Sequence, residues 1–569
     1  MPENDKFCRM AAVSDEFQDL IISYSGRPEL LTELNLDCYQ NIDDNFAVAY
    51  YYRPMEALTD VVGSYSEMPK CCGLLQLQNL EEIGVSRLRR IEGFELYGQG
   101  ILIGMVDTGI AYSHPAFLQA DGSSRVVAIW DQGNQEGQPP EGFLFGTEYG
   151  SAEIAAGTAP GDEIGHGTFL AGIAAGRMDA DENFSGVAPL AELAVVKLKQ
   201  AKEYLRRYYL LPEGVPAYSE ADIMLGVKYL IELARRRGQP LVLFLGLGTS
   251  SGSHTGTLPL CRYLDALSFR LNLCLIVSAG NEGNARHHYR GTGNGDIQEL
   301  ELQIGKGRKG FTMEYWTSAI SRSRLTLISP SGERAEINPD VGGYEQRRIF
   351  IFDRTIVLIR FEQQERASGR RLIQMRFLNP PEGLWRIQVD ARQDTNQVYD
   401  LWLPMSAFLD EGTFFLQPDP EVTLCEPGNA ALLITVGGYS AMTGGSYPPS
   451  SRGFTASGQD QPGLVAPAGN VVGPYAAGGY VTGSGTSIAA AYTAGCTALF
   501  FEYFNSYYGT DSHPGISEQF GEGLFLDTLV MKSLLTQGAT READRSYPNP
   551  ESGYGKLNLY GIFEILRNV

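Results

Sequence analysis

Short, almost wholly apolar runs that alternate with helical patterns are the feature that most restricts the fold of this chain. After residue 98, the runs Ile101–Val106, Leu193–Leu198 and Leu273–Ser278 are too short for buried helices and suit strands buried on both faces. A strongly periodic helical pattern over Glu220–Arg237 lies between two of them. This alternation predicts an α/β fold, in which a parallel sheet is flanked by helices. In such sheets, functional side chains gather at the carboxyl ends of the strands.

Residues 285–430 interrupt the α/β pattern. Helical periodicity disappears there, and about eight short strand-like segments separated by turn residues take its place. These segments are Gln298–Ile304, Gly310–Trp316, Leu325–Ser329, Arg347–Phe352, Thr355–Phe361, Arg371–Phe377, Leu384–Val389 and Asp400–Pro404. Their spacing predicts an inserted β-sandwich domain. The α/β pattern resumes at Ala431–Val436 and continues into a long helix over Ser484–Tyr503.

A smaller unit precedes the α/β pattern. A helical pattern over Ser14–Tyr24 and a β-rich run over Asn45–Tyr52 predict a small α+β module. We therefore divide the chain into an N-terminal module (residues 1–80), a first α/β part (81–284), an inserted β-domain (285–430) and a second α/β part (431–569).

Charge and hydropathy exclude several classes of function. The 569 residues carry a formal net charge of −22 at pH 7, and such a field repels phosphate groups, so we expect no nucleic-acid partner. We also expect no membrane partner, because the longest apolar stretches fall short of the roughly 20 residues that cross a bilayer. The acidic start, MPENDKFCRM, does not resemble a signal peptide, and this favours a cytoplasmic protein.

The cysteines and histidines do not form a metal-binding pattern. Eight cysteines are scattered along the chain without a CxxC spacing, and we expect buried, reduced thiols rather than disulfides or zinc ligands. No HExxH or EF-hand loop occurs either. We therefore expect no metal and no cofactor.

Three motifs contain the residue types of nucleophilic catalysis. Asp107 ends an apolar strand pattern (VDTG), His166 stands at the mouth of a helix of small residues (GHGTFLAG), and Ser487 follows a glycine-rich entry to an alanine-rich helix (GSGTSIAA). A serine nucleophile needs a neutral imidazole to take its proton, and the imidazole needs a carboxylate to fix its tautomer. Each motif alone also fits an ordinary turn, but together they predict acyl transfer.

These motifs, in the order Asp, His, Ser, resemble those of the subtilisin-like serine proteases, the subtilase or S8 family. A fourth match, Ser278–Asn281 (SAGN), lies where that family has the asparagine of its oxyanion hole. Weaker matches are Gly186–Pro189, Ser450–Gly453 and Leu464–Pro467. The resemblance covers about residues 98–284 and 430–505.

The resemblance implies a serine endopeptidase that acts on a protein or peptide substrate. In it, Asp107 orients and stabilises His166, and His166 is the general base and then the general acid for the nucleophile Ser487. Asn281 and the backbone N–H of Ser487 form the oxyanion hole. The implied substrate-binding residues lie on two segments: Gly246, Leu247 and Gly248 on one, and Ser278, Ala279 and Gly280 on the other.

Two positions depart from the family pattern. The proline common four residues after the nucleophile is Ala491, and we expect activity to survive because alanine is an excellent helix former. The Ser-Leu-Gly of the family's substrate-binding strand reads Gly246-Leu247-Gly248. Its main chain can still pair with an extended peptide.

The order of the parts resembles that of the clostridial spore-germination subtilases, which have a small N-terminal module and a jelly-roll-like insert. This resemblance implies that residues 1–80 are a prodomain, which the protease cuts from itself within the stretch Ser66–Leu80 and then holds in its cleft. It also implies that the insert rigidifies the protease, that the enzyme activates a germination zymogen, and that it is cytoplasmic or spore-associated.

Two alternatives remain open at this point. The chain could be a catalytically inactive subtilase-fold scaffold, a regulatory pseudoprotease, although all the triad residues are present. The insert could instead bind carbohydrate, with Trp316, Trp385 and Trp402 as platforms for sugar rings; aromatic side chains of this kind are more often found in a core.

Overall fold

A computed structural model describes residues 4–24, 26–27, 38–53, 63–74, 82–91, 94–179, 181, 184–307, 309–338, 345–508 and 526–567. Its centre is an eight-stranded sheet. The strands, in spatial order, are Leu464–Pro467, Ile434–Tyr439, Leu273–Ser278, Leu241–Leu245, Leu102–Asp107, Glu192–Lys197, Val126–Asp131 and Thr147–Gly150. All neighbours are parallel except the last pair, which is antiparallel. The predicted parallel sheet is confirmed.

Helices cover both faces of this central sheet. Leu102 and Val106 of one central strand face a core that includes the helix Glu220–Arg237, whereas Ile103 and Met105 face a core that includes the helices His166–Ala175 and Thr486–Tyr508. The remaining α-helices in the described part of the chain are Asn4–Ala11, Val85–Leu88, Ser151–Ala155, Glu203–Tyr208, Pro259–Leu267, Thr528–Gly538 and Leu559–Arg567, with 3₁₀ turns at Pro115–Phe117 and Ser406–Phe408. The predicted mixed α/β architecture is therefore present. None of the helices in the described ranges is long and apolar enough to cross a bilayer.

The chain between the two α/β parts forms two antiparallel sheets that share one apolar core. The six-stranded sheet has the order His288–Thr292, Val398–Trp402, Gly310–Thr317, Arg371–Leu378, Thr355–Glu362, Glu345–Phe350. The five-stranded sheet has the order Arg334–Ile337, Arg324–Ile328, Gly383–Asp390, Ile297–Ile304, Phe414–Phe415. We call these strands and their turns the inserted β-domain.

The tryptophans of the inserted β-domain are buried. Trp316, Trp385 and Trp402 are 0%, 1% and 2% exposed. An indole ring with so little exposed surface cannot stack on a sugar. The three tryptophans that suggested a carbohydrate-binding insert therefore cannot serve as platforms for sugar rings.

The sequence prediction of a helix over Ser14–Tyr24 is wrong. Residues Phe17–Ser23 form a strand that pairs antiparallel with Phe46–Tyr52 along its whole length, and Cys38–Asn41 lies on the other side of that partner. The apolar residues have helical spacing, but the intervening Gln18 and Asp19 are also buried, so no polar face remains for an amphipathic helix. Packing against residues distant in sequence overrides the local pattern.

Two cysteines differ from the expectation of reduced thiols. Cys8 and Cys38 form a disulfide, because the helix Asn4–Ala11 packs against the strand that begins at Cys38. Cys71, Cys261, Cys274, Cys425 and Cys496 are free and buried, as expected.

Candidate active site

Asp107 and His166 are joined by a short hydrogen bond at the carboxyl edge of the central sheet. Asp107 is the last residue of a central strand, and His166 is the first residue of its helix. The distance from His166 Nδ1 to Asp107 Oδ1 is 2.7 Å, and the two side chains are 3% and 1% exposed. A carboxylate in this position holds the proton on Nδ1, which leaves Nε2 as the acceptor in the neutral imidazole. His166 can therefore accept a proton from a neighbouring nucleophile.

Asp162 holds the loop that delivers His166, and the sequence analysis missed it. Its Oδ1 accepts from the backbone N–H groups of Ile164 and Gly165 at 3.1 and 2.8 Å, and its Oδ2 accepts from the backbone N–H and hydroxyl of Thr168 at 2.9 and 2.8 Å. The carboxylate thus satisfies free N–H donors at the start of the helix. The sequence signal that could have identified Asp162 is an acidic residue shortly before a glycine-rich helix start.

Ser487 stands in the first turn of the helix Thr486–Tyr508, next to His166. An ideal Cβ built on Gly246 lies 3.0 Å from Ser487 Cβ and 3.2 Å from His166 Cε1, so the two side chains meet around this glycine. Ser487 is 0% exposed, and its Oγ has no hydrogen-bond partner within the described part of the chain. No described group, His166 included, is hydrogen-bonded to the hydroxyl in this structure.

The same construction explains why Gly246 departs from the family's serine. A Cβ at this position would lie 2.6 Å from Leu170 Cδ1, in addition to its approach to Ser487 and His166. A serine side chain would have to displace Leu170, which is fully buried. Glycine avoids this overlap and leaves the main chain available for pairing. The other departure, Ala491, is buried inside the long helix.

Asn281 is oriented by the start of the nucleophile's helix. Its Oδ1 accepts from the backbone N–H of Thr486 at 3.1 Å, and Thr486 Oγ1 accepts from the backbone N–H of Gly280 at 3.1 Å. Because the amide oxygen is held by Thr486, the donor end of the amide, Nδ2, points away from that bond. Asn281 is therefore fixed beside Ser487 with an N–H donor to offer, which an oxyanion hole requires.

The segment Leu247–Gly248 pairs with the chain's own residues Cys71–Leu74. Leu247 is opposite Leu74 and Gly248 is opposite Gly73, in antiparallel register. On its other edge, the Cys71–Leu74 strand pairs antiparallel with Tyr218–Ser219. It is thus the central strand of a three-stranded sheet. The predicted self-cleavage stretch, Ser66–Leu80, continues past this strand, and its residues 75–80 lie outside the described residues.

The second predicted substrate-binding segment, Ser278–Gly280, packs against Cys425. Ser278 and Ala279 are buried, and the carbonyl of Ala279 accepts from the backbone N–H of Cys425 at 2.8 Å. An ideal Cβ on Gly280 would lie 2.6 Å from Cys425 Sγ, so only glycine fits. The sequence analysis did not identify Cys425 as a neighbour of the site.

Glu426 is an unusual buried carboxyl close to this segment. It is 2% exposed, its Oε2 accepts from Cys261 Sγ at 3.0 Å, and burial, as the largest cause, raises its pKa to about 7. Its backbone pairs with Thr249, just after the Leu247–Gly248 strand.

Within the described residues, no group of three or more His, Cys, Asp or Glu side chains is arranged to hold a metal ion.

Glu426 should make the protein less stable as the pH rises from about 4.5 to about 7. The folded-state pKa of about 7 lies above the ordinary 4.5, so the folded state binds more protons than the unfolded state between these values. The stability contributed by the neutral carboxyl is present below about pH 4.5 and is lost by pH 7, and a shift of this size corresponds to about 3 kcal/mol. We expect Glu426→Gln to flatten the pH dependence of the unfolding free energy. Equal slopes for wild type and variant between pH 5 and 8, measured by denaturant unfolding, would contradict this.

The subtilase family model matches residues 98–296 and 417–555, more than half of the chain. The chain belongs to the subtilase family. The two matched ranges contain Asp107, His166, Asn281 and Ser487, and they lie on either side of most of the inserted β-domain. The predicted family is confirmed, and with it the enzyme class that the family represents, the subtilisin-like serine endopeptidases.

The solved structure of the Clostridium perfringens CspB protease is similar over most of both chains. The TM-score is 0.72 at 28% sequence identity, and the match covers 86% of this chain and 97% of that one. Among curated proteins, subtilisin-like proteases SBT2.2 and SBT1.9 of Arabidopsis thaliana are 32% and 34% identical over alignments of 130 and 123 residues, and each alignment covers 18% of this chain. The matched stretches span 15% and 17% of those two proteins.

Proposed function

We propose that this subtilase is a serine endopeptidase that hydrolyses peptide bonds through Asp107, His166 and Ser487. The observation that carries the proposal is the 2.7 Å bond between buried Asp107 and His166, next to Ser487 at a helix start. His166 Nε2 takes the hydroxyl proton as Ser487 Oγ attacks the substrate carbonyl, and the negative oxygen is stabilised by the Nδ2 of Asn281 and the N–H of Ser487. His166 then protonates the leaving amine, and water hydrolyses the acyl-enzyme in a second round.

The presence of Asp107, His166 and Ser487 close together counts against the alternative of an inactive scaffold. A regulatory scaffold has no need of a carboxylate that orients an imidazole beside a serine hydroxyl. Here Asp107 also accepts from the backbone N–H of Thr108 at 2.8 Å, so the carboxylate has two donors. No observation favours the inactive alternative.

The N-terminal module, residues 1–80, is proposed to be a prodomain that the protease removes by cutting within Ser66–Leu80. The proposal is supported by the strand Cys71–Leu74, whose main chain lies between Leu247–Gly248 and Tyr218–Ser219, as an extended substrate would. Gly246, which directly precedes the pairing strand Leu247–Gly248, lies beside Ser487 and His166. The module would then remain in the cleft as an inhibitor. Residues 285–430 are proposed to be an inserted domain that rigidifies the protease.

The protein substrate is proposed to be a zymogen of spore germination. The support is the order of the parts along the chain and the similarity to the Clostridium perfringens CspB protease over 97% of that chain.

Self-cleavage has a direct test. Wild type is expected to run on a denaturing gel as two pieces that together account for 62.3 kDa, and Ser487→Ala is expected to run as one. The N-terminal sequence of the larger piece should begin within residues 66–81. A cut that persists in Ser487→Ala without added protease, or a single uncut band from an enzyme that cleaves other substrates, would contradict the proposal.

Replacing Asn281 by alanine should slow cleavage by about 10²–10³-fold, because one oxyanion donor is lost while the N–H of Ser487 remains. The loss should appear in kcat, measured on a denatured protein substrate, since the oxyanion develops only in the transition state. Ser484→Ala is the control near the same helix start, because it removes a hydroxyl that only accepts from the backbone N–H of Asn470. An unchanged kcat for Asn281→Ala would remove this residue from the oxyanion hole.

A further inference from the structure

Glu314 of the inserted β-domain is a buried carboxylate at which three parts of the chain meet. It lies on the strand Gly310–Thr317 and is 3% exposed. Within its own domain it accepts from Trp316 Nε1 at 3.0 Å and from Gln374 Nε2 at 3.3 Å. Its other donors come from elsewhere: the hydroxyl of Tyr65, at 2.8 and 2.7 Å to the two oxygens, and the backbone N–H of Gly252 at 3.1 Å.

Tyr65 belongs to the segment of the N-terminal module that leads to the strand Cys71–Leu74. It is 1% exposed, and its ring contacts Trp316 edge to face, with the ring centroids 5.4 Å apart. Its backbone N–H donates to Glu362 Oε1 at 2.7 Å, so a second carboxylate of the inserted β-domain holds the same residue. The inserted β-domain therefore fixes both the main chain and the side chain of Tyr65.

Lys70 connects the anchored Tyr65 to the strand Cys71–Leu74. Its Nζ donates to the carbonyls of Tyr65 and Met68 at 2.6 and 2.5 Å, which closes the segment into a compact turn. Its backbone N–H donates to Glu220 Oε2 at 3.1 Å, and its carbonyl accepts from the Glu220 N–H at 2.9 Å. The next residue, Cys71, begins the strand that pairs with Leu247–Gly248.

Gly252 connects Glu314 to the other side of the same pairing. It lies four residues beyond Gly248, in the loop that follows the strand to which Cys71–Leu74 is paired. The Glu314 carboxylate thus bonds both to Tyr65, ahead of the strand Cys71–Leu74, and to the loop that follows the strand Leu247–Gly248. A group in this position sets the register between the two strands.

We propose that Glu314 is a positioning residue for self-cleavage, which holds Tyr65 so that the strand beginning at Cys71 enters the cleft in a single register. This inference rests on the proposed self-cleavage. The inserted β-domain then has a role in self-cleavage. Glu314 speeds the cut in the chain's own segment and not the cleavage of other proteins. A separate protein substrate has no residue equivalent to Tyr65 at this point and would be cut without it.

Two variants and a double-mutant cycle test this role. The full chain is synthesised as a labelled pulse in a cell-free system, and conversion of the 62.3 kDa chain into two pieces is followed on a denaturing gel. Tyr65→Phe keeps the ring against Trp316 and removes the hydroxyl, and Glu314→Gln removes the charge. Loss of a buried hydrogen bond to a charged group should slow the cut about 10- to 100-fold in each. The double variant should be about as slow as Glu314→Gln alone, because both changes remove the same interaction.

The protease itself should be unaffected once the cut is complete. Cut molecules of each variant should react with a fluorophosphonate at the wild-type rate or faster. Arg366→Ala is the matched control: its ion pair with Glu67 joins the same two parts at 2.9 Å, but the side chains are 71% and 27% exposed. Such exposed pairs contribute little, so this variant should be cut at the wild-type rate.

The outcomes separate this inference from the proposal on which it rests. If wild type is never cut, self-cleavage itself is wrong. If wild type is cut, and Tyr65→Phe and Glu314→Gln are cut equally fast, Glu314 does not position the segment. If the fluorophosphonate reaction of the cut variants slows as much as the cut does, Glu314 acts on the protease as a whole, and the positioning role is overturned.

Discussion

Replacing Ser487 by alanine is expected to lower the rate of peptide-bond cleavage by about 10⁶, because the covalent route through the acyl-enzyme is lost. His166→Ala should cost about as much, since the two residues act as one unit: without the imidazole, no group in the site takes the hydroxyl proton. The double variant should therefore be no slower than either single variant. The measurement is hydrolysis of a denatured protein such as casein, together with the cut in the chain itself.

The matched control for this prediction is Ser484→Ala. Ser484 lies three residues before the nucleophile, and its Oγ accepts from the backbone N–H of Asn470 at 2.9 Å, so it has a structural contact and no place in the triad. It should retain near-wild-type activity. Equal rates for wild type and Ser487→Ala would show that the nucleophile has been wrongly assigned.

Replacing Asp107 by asparagine should slow acylation by about 10⁴ while leaving the fold intact. Asparagine has the same shape, but its amide can donate to His166 Nδ1, which would place the imidazole proton on Nε2. That tautomer cannot take the proton of Ser487. The rate of reaction with a fluorophosphonate measures this step without knowledge of the natural substrate.

Asp162→Asn distinguishes the two carboxylates near His166. The carboxylate of Asp162 accepts hydrogen bonds from the loop and the helix start, so its replacement should lower stability more than it lowers the rate of acylation. A fall in rate of less than tenfold for Asp107→Asn, or an equal fall for Asp162→Asn, would contradict the assigned role of Asp107.

The sequence predicted the central sheet and the places of the candidate catalytic residues, because both depend on local patterns. A strand buried on both faces is apolar throughout, as in Leu273–Ser278, and its bounds agree with those in the structure. Asp107 and Asn281 follow such strands, and helix starts place His166 and Ser487. The carboxyl ends of parallel strands share one edge, so residues distant in sequence were expected to meet there.

What the sequence could not predict depends on contacts between distant segments. The helical pattern over Ser14–Tyr24 gives no sign that Asp19 is buried, yet its carboxylate pairs with Lys202 at 2.6 Å and both side chains are buried. The same holds for Glu314, whose donors Tyr65 and Gly252 come from two other parts of the chain. No local pattern predicts such partners, since each residue alone has the character of an ordinary exposed side chain.

The measurement that tests the central claim most directly is reaction of the folded protein with a fluorophosphonate, followed by mass spectrometry of the labelled peptide. The account predicts one label per molecule, located on Ser487 and absent from Ser487→Ala and His166→Ala. Folded protein that takes up no label, or that carries the label on another residue, would contradict it.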